Sequence, residues 1–360
     1  MDFEDIGGLS VAINTSLNEF FEIESQYLRA IGSELDPVAE ALGRFLLDGG
    51  KRLRPLFAAI GFLGAQGEIT LEVIRAVSSL ELVHVCALIH DDVMDASDTR
   101  RGAPAIHKQF EARHGSDNLQ GSSAQFGVAS AILLGDLALI WAAKALHESG
   151  LAPELILRSL PFYDEMRIEL MAGQYLDIYE QALASESAER SLKVARYKSG
   201  KYSIERPLHF GASLAPGFSP SIIDIYSNFG LPLGEAFQLR DDLIGVFGDP
   251  LKTGKPAGDD LREGKRTVLV ALALSHSNST QRQEFLKYFG QKELDSHGID
   301  SLRQIITDTG AFAEVETMIE IMSFKAQEAI THGGIHGGGI NGGALNLLND
   351  LAVAATQRSS

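Results

Sequence analysis

Apolar residues recur along the chain at steps of three and four, the spacing that gathers them on one face of an α-helix. Between positions 16 and 32, Leu17, Phe20, Phe21, Ile23, Tyr27 and Leu28 form one broad face. Pro37 opens a second helix that stops near Gly49 and Gly50, and Pro55 stands where a third begins. The stretch 71–94 is apolar nearly all round in its second half, which predicts a helix buried in a bundle. Further helices are predicted over 124–148, 153–182, 188–214, 220–247 and 267–274, with two or three more after Gln281 and a last one over 344–355. Long alternating runs bounded by turn dipeptides, the mark of strands, are missing, and so is any repeat of fixed period. The pattern predicts an all-α protein, read as a single domain over residues 1–360.

The connections add to this picture. Residues 98–104 are polar and arginine-bearing, and 114–123 are rich in Gly, Ser and Asn. Residues 248–267 hold two prolines, four glycines and many charges. A connection of that length in a compact domain is usually functional or disordered. Residues 333–343 are glycine-rich and read as a flexible connector beside His332 and His336.

Charge narrows the function. Against 31 basic residues stand 48 acidic ones, a net −17. Such a chain lacks the basic face that nucleic acid requires, and bulk charge does not draw it to anionic lipid. The one cysteine, Cys86, excludes an internal disulfide and a zinc cluster of cysteines, so a reduced cytosol is the default. The start, MDFEDIGGLS, has neither the basic beginning nor the apolar core of a signal peptide. No uninterrupted apolar run reaches the roughly 18 residues of a membrane span, and 129–143 is broken by Gly135 and Asp136. The expectation is a soluble, cytoplasmic protein with no transmembrane segment and no nucleic-acid partner.

Three clusters carry chemistry. Asp91, Asp92 and Asp95 end the apolar stretch 82–89, and positions 91 and 95 share a helix face. Hard carboxylate oxygens at that density suit Mg²⁺. Asp241 and Asp242 end a second apolar helix, so the two acidic clusters are expected to face each other across a cavity that holds a polyphosphate through several metals. Lys51, Arg52 and Arg54 lie beside a helix N-terminus, Arg100 and Arg101 follow the first acidic cluster, and Lys198, Lys201, Lys255 and Lys265 sit further on. Cations gathered near acidic motifs point to an anionic ligand bridged by metal.

These residues resemble the trans-isoprenyl diphosphate synthases of the polyprenyl synthetase family. The resemblance runs from about Asp36 to the last helix, with 1–35 as an N-terminal helical extension. It rests on GGKRLRP at 49–55, HDDVMD at 90–95 followed by RRG at 100–102, GQYLD at 173–177, KSGKYS at 198–203, FQLRDD at 237–242, and GDPLKTGKPAGDDLREGKRT at 248–267. It implies the all-α isoprenoid synthase helical bundle around a central cavity, usually as a homodimer. By position, Asp91 and Asp95 bind Mg²⁺ on an allylic diphosphate with Asp92 in support. Asp241 holds a further Mg²⁺ with Asp242 near it, three ions in all. Arg100, Lys198 and Lys255 contact the allylic diphosphate. Lys51, Arg54, His84 and Arg101 hold the diphosphate of isopentenyl diphosphate. Gln174 and Gln238 line the space between the substrates. Ser199 and Lys265 are carried over as substrate-binding, and the 248–267 loop as a lid. Two departures stand out: Gly245 occupies the place of a third aspartate in the second acidic motif, and Lys198-Ser199 replaces Lys-Thr, keeping the hydroxyl.

The implied chemistry is ionisation of the allylic C–O bond, attack by the isopentenyl double bond and loss of a proton. Aromatic side chains four and five residues before the first motif block the tail pocket at the farnesyl length in the family. Here those positions are Ala87 and Cys86, so the pocket is expected to extend a helix turn deeper, about 5.4 Å, toward Val83 and Ser79. That favours geranylgeranyl diphosphate, as in bacterial geranylgeranyl diphosphate synthases. The alternatives are a farnesyl or longer-chain synthase, a class I terpene cyclase, which has no need of GGKRLRP and Arg101, and a non-catalytic subunit of a heteromeric synthase, which would lose carboxylates of the first motif. The net −17 is compatible with diphosphate ligands because Mg²⁺ inverts the local sign.

Overall fold

A computed structural model describes residues 5–249, 258–337 and 340–357. The described residues are helical almost throughout, in keeping with the all-α expectation. They pack as two compact units, Met1–Pro161 with Pro207–Phe218, and Phe162–Arg206 with Ser219–Ser360.

In the first unit, α1 (Ile6–Ile31) begins well before position 16, because Asp5 caps it by accepting a 2.6 Å hydrogen bond from the Gly8 amide. The longer helix buries Leu9, Ile13, Leu17, Phe21 and Leu28, while Ile23 and Tyr27, expected on the packed face, are about two-thirds exposed at 65% and 67%. Packing against the three helices that follow sets its buried face, and Ile23 and Tyr27 fall on the opposite side. Next come α2 (Asp36–Leu47), α3 (Leu53–Gly64) and α4 (Leu71–Met94). The last is capped by Thr70 and buried over most of its length, as its apolar circumference requires.

Two short strands follow, β1 (Thr99–Arg100) and β2 (Ala103–Pro104), an antiparallel pair the sequence did not announce. Their turn residues Arg101 and Gly102 both have positive φ, 53° and 77°, which a two-residue type I′ hairpin requires. Then come α5 (Ile106–Ser116) and α6 (Ser123–His147), and α6 packs along α4. Gly135 of α6 is a seat for His90 of α4: a Cβ there would lie 2.1 Å from the ring. By length and mean composition α4 and α6 are both apolar enough to cross a membrane, although charged residues such as Glu81 in α4 and Asp136 in α6 interrupt the apolar run of each. Gly135 and Asp136 do not interrupt the helix, and α4 is accounted for as a core helix.

α7 (Pro153–Ala182) passes from the first unit into the second, which continues with α8 (Ala188–Val194). The sequence predicts one α-helix over 188–214. The structure places a π-helix at Ala195–Glu205 between α8 and α9 (Arg206–Leu214). π-Helical turns are rare and frequently mark functional sites. This one lies against α10 (Pro220–Phe247) through a glycine pair, since a Cβ on Gly234 would sit 2.5 Å from the Gly200 carbonyl oxygen. Beyond it lie α11 (Asp259–Glu263), α12 (Val268–His276), α13 (Ser279–Tyr288), α14 (Ser296–Asp308), α15 (Ala311–Gly337) and α16 (Gly342–Thr356). Leu239, Leu243, Val246, Leu269, Leu302, Ile306 and Val315 form the core of this unit.

Candidate active site

In the first unit the site is built on α4. His84, Ala87, Leu88, Asp91 and Asp95 are only partly buried, and at helical spacing they share one face, an accessible stripe along the second half of a largely buried helix. It ends in the Asp91 and Asp95 carboxylates. Val83, Cys86 and Asp92 point away from it and are fully buried. Of the three tail-pocket positions, Ala87 alone is on the stripe. Cys86 packs with its Sγ 3.8 Å from His90 Nδ1, and burial pushes its thiol up to about 12, so it is an inert core residue.

Asp92 accepts from Arg100 Nε at 2.8 Å and from its Nη2, and Asp91 lies 3.9 Å from the same guanidinium. The carboxylate between the two outward aspartates therefore holds Arg100 on the hairpin against the end of α4. Arg101, at the hairpin turn, donates from Nη1 to the carbonyls of Phe45, Asp48 and Gly49 at 3.3–3.4 Å. The RRG loop is thus joined to the GGKRLRP turn. Gly49 and Gly50 have φ of 82° and 121° and Arg52 has φ of 49°, so this turn runs through left-handed backbone up to the start of α3. Lys51 is exposed and Arg54 half-buried at that helix start. Burial, and then the charges of Arg54, Arg101, Arg100 and Arg52, hold His84 well below its ordinary value, so its imidazole is neutral near pH 7.

In the second unit, Lys198 of the π-helix donates to Asp177 of α7 at 2.6 Å. Gly173 permits this approach, because a Cβ there would meet the Lys198 amide at 2.3 Å. Ser199 is half-buried beside it, and Gln174 is buried on α7. Asp241 and Asp242 lie near the end of α10, with Gln238 donating to Asp242 at 2.8 Å. Burial first, and then the negative field of Asp260 and Asp241, push the Asp242 carboxyl up to about 8 against that hydrogen bond. Lys265 pairs with Asp260 at 3.3 Å and Glu263 at 2.8 Å. Gly245 faces this group directly: a Cβ on it would lie 1.9 Å from Asp260 Oδ2. Asp260 thus occupies the space of the third aspartate that the motif lacks. Lys255 and the middle of the expected lid lie outside the described residues.

No three His, Cys, Asp or Glu side chains among the described residues form a ready-made metal cage. The donor set nevertheless suits Mg²⁺, which keeps several waters and is held by one or two carboxylates together with substrate phosphates. The mutual repulsion at Asp241, Asp242 and Asp260 is the field a divalent cation relieves.

The sequence marked Arg52 only as one more cation for a bound anion, whereas the structure buries it against Glu81; Glu81, Asp177, Arg240 and Asp260 were missed. Arg240, inside FQLRDD, bonds Glu316 with both Nη atoms at 2.6 and 2.7 Å and the Thr356 carbonyl at 2.9 Å, tying α10 to α15 and α16. The signal for Asp177 and Asp260 was present, since both stand inside quoted motifs. Nothing in the sequence singled out Glu81.

An all-α fold with two carboxylate-tipped helices and basic residues near them is that of a trans-prenyltransferase. The chain belongs to the polyprenyl synthetase family, whose model matches residues 36–306. It is 32% identical over 287 residues to geranylfarnesyl diphosphate synthase of Aeropyrum pernix, covering 79% of this chain and 83% of the relative. It is 30% identical over 298 residues to geranylgeranyl diphosphate synthase of Sulfolobus acidocaldarius, covering 81% and 83%. Among solved structures it is similar to geranylgeranyl pyrophosphate synthase of Corynebacterium glutamicum, complexed with isoprenyl diphosphate and magnesium, at 41% identity and a TM-score of 0.93, over 99% of this chain and 100% of that one.

Proposed function

We propose that this enzyme condenses isopentenyl diphosphate with an allylic diphosphate to give geranylgeranyl diphosphate. The observation that carries the reading is the α4 stripe, where Ala87 stands one turn from Asp91 on the accessible face. A small residue there leaves room for a tail longer than farnesyl, and the likeness to geranylgeranyl synthases supports the same length.

In this reading Arg100 and Lys198 hold the allylic diphosphate, joined by Lys255, while Ser199 adds a hydroxyl. Lys51, Arg54, His84 and Arg101 hold the isopentenyl diphosphate, and Lys265 supports the site. Asp91, Asp95 and Asp241 hold Mg²⁺, three ions per site, with Asp92 and Asp242 behind them. Mg²⁺, when bound, neutralises the charge of the departing diphosphate. Asp92 fixes the direction of Arg100, so its cation is in place before charge develops. The neutral imidazole of His84 donates a hydrogen bond to an anion without adding a charge to a crowded set of arginines. Gln174 and Gln238 flank the reacting carbons and supply no base, which leaves the proton to the departing diphosphate. The apolar wall formed by Ala87 and Leu88 keeps water from the cation.

The enzyme acts as a soluble, cytoplasmic homodimer. The observation behind the dimer is the outer face of α6, where Ile132, Leu133 and Ile140 are 46%, 67% and 63% exposed on a helix otherwise fit for a core. Sedimentation at equilibrium measures this, and a monomer at micromolar concentration overturns it. For the reaction, purified protein is incubated with Mg²⁺, isopentenyl diphosphate and each of the dimethylallyl, geranyl and farnesyl diphosphates in turn, and product length is measured by mass spectrometry. Geranylgeranyl diphosphate is expected. Absence of Mg²⁺-dependent condensation overturns the enzyme reading, and a different main product overturns the length.

A further inference from the structure

GGKRLRP contains three cations, of which Lys51 and Arg54 are assigned to the isopentenyl diphosphate. The middle one, Arg52, is 2% exposed and sits in left-handed backbone at the cap of α3. Its guanidinium has three short partners. Nε donates to Asn14 Oδ1 of α1 at 2.9 Å, Nη1 to Glu81 Oε1 of α4 at 2.6 Å, and Nη2 to the Leu46 carbonyl of α2 at 2.7 Å. Asn14 is itself oriented, since its Nδ2 donates to the Ser10 carbonyl at 2.9 Å. A side chain so engaged does not reach a ligand. It fixes the turn that carries Lys51 on one side and Arg54 on the other.

The other partners lead to the same place. Glu81 stands three residues before His84 on α4, so one carboxylate links the turn to the helix that carries the imidazole. Gly50 lies between two guanidiniums: a Cβ on it would be 3.2 Å from Arg52 Nη1 and 3.6 Å from Arg101 Nη2. Arg52 and Glu81 therefore touch, or directly neighbour, the segments that present all four residues of the isopentenyl subsite, the cations Lys51, Arg54 and Arg101 and the neutral His84. Holding like charges together ahead of the ligand requires such an internal counter-charge, and Glu81 supplies it out of reach of the anion, with its side chain 3% exposed.

We propose that the buried Arg52–Glu81 pair, tied to α1 through Asn14, is the positioning element of the isopentenyl diphosphate subsite. This rests on the reading of that subsite above. It also gives the N-terminal helix, which precedes the matched region 36–306, a part in substrate binding.

The test compares wild type with Arg52→Lys, Glu81→Gln and Asn14→Ala, each checked for folding by circular dichroism and thermal unfolding. Steady-state kinetics vary each substrate in turn. Calorimetry measures isopentenyl diphosphate binding without allylic substrate. Arg52→Lys and Glu81→Gln are expected to raise KM and the dissociation constant for isopentenyl diphosphate about 10- to 100-fold, with KM for the allylic substrate and kcat within about threefold. Asn14→Ala shifts the same constant in the same direction by less. Asn14 is exposed and not in the core, so it decides the matter if the buried variants do not fold. Folded variants that bind isopentenyl diphosphate like wild type overturn the proposal, as does an equal loss for both substrates. Wild type that shows no isopentenyl diphosphate binding overturns the underlying assignment instead.

Discussion

A methyl group at position 245 would lie 1.9 Å from the carboxylate of Asp260, which is held in turn by Lys265 at 3.3 Å. The glycine of the second acidic motif and the aspartate of the following connection are therefore complementary. One supplies the space and the other the carboxylate. Replacing Gly245 by Asp puts two carboxylates into a space that fits one and forces Asp260 away from Lys265. The half-saturating Mg²⁺ concentration for Gly245→Asp is expected to rise about tenfold, a change of ~1.4 kcal/mol. Mg²⁺ titration of activity, with direct metal binding measured by calorimetry, checks this; an unchanged metal requirement means that Asp260 moves aside freely.

Chain length separates Ala87 from Cys86. Ala87→Phe projects a ring from the accessible stripe of α4 and is expected to shift the main product to farnesyl diphosphate. Cys86 is fully buried against His90, so Cys86→Phe overpacks a core, at a cost of about 1–3 kcal/mol in stability. Product analysis and urea denaturation of the two variants form the comparison. An unaltered product distribution for Ala87→Phe removes the stripe from the tail pocket.

The Asp92–Arg100 contact predicts an indirect effect. Asp92→Asn keeps the shape but weakens the charge that holds the guanidinium. The KM for the allylic diphosphate is expected to rise about tenfold, against a loss of about 10²–10³ in kcat for Asp91→Ala or Asp241→Ala. Initial-rate kinetics with varied allylic substrate distinguish the two patterns. A kcat loss for Asp92→Asn as large as that for Asp91→Ala would make it a ligand in its own right.

His84 gives a pH dependence. Its folded-state value is held well below the ordinary one by burial and by the neighbouring arginines. The unfolded chain therefore takes up a proton near pH 6.5 that the folded protein refuses, and stability falls as pH drops below about 6.5, by at most ~1.4 kcal/mol per pH unit. Above that pH both states are neutral and this group contributes no slope. His84→Gln is expected to flatten the acid limb between pH 6.5 and 5.5, which urea midpoints measured across that range report. An acid limb of equal slope in wild type and variant would assign it to other groups.

What the sequence determined is what local chemistry encodes. Periodicity placed the span of α4 at residues 71–94 and that of α10 at 220–247, because the free energy of burying a stripe depends on spacing within a few turns. The acidic and basic motifs were equally legible, since ligand density within one turn is a property of neighbouring residues, and they led to the family. Tertiary structure decided the rest. Ile23 and Tyr27 satisfied the helical period and still ended on the exposed face, because the choice of face belongs to the partner helices. Arg52 and Lys51 are adjacent cations in the sequence. Burial of the first came from Asn14, 38 residues away, and Glu81, 29 residues away, neither of which a local pattern connects to it. The absence of a third aspartate at Gly245 read as a missing ligand until the fold brought Asp260 into its space. Each of these outcomes depends on contacts between distant segments, and such contacts exist only once the helices have packed.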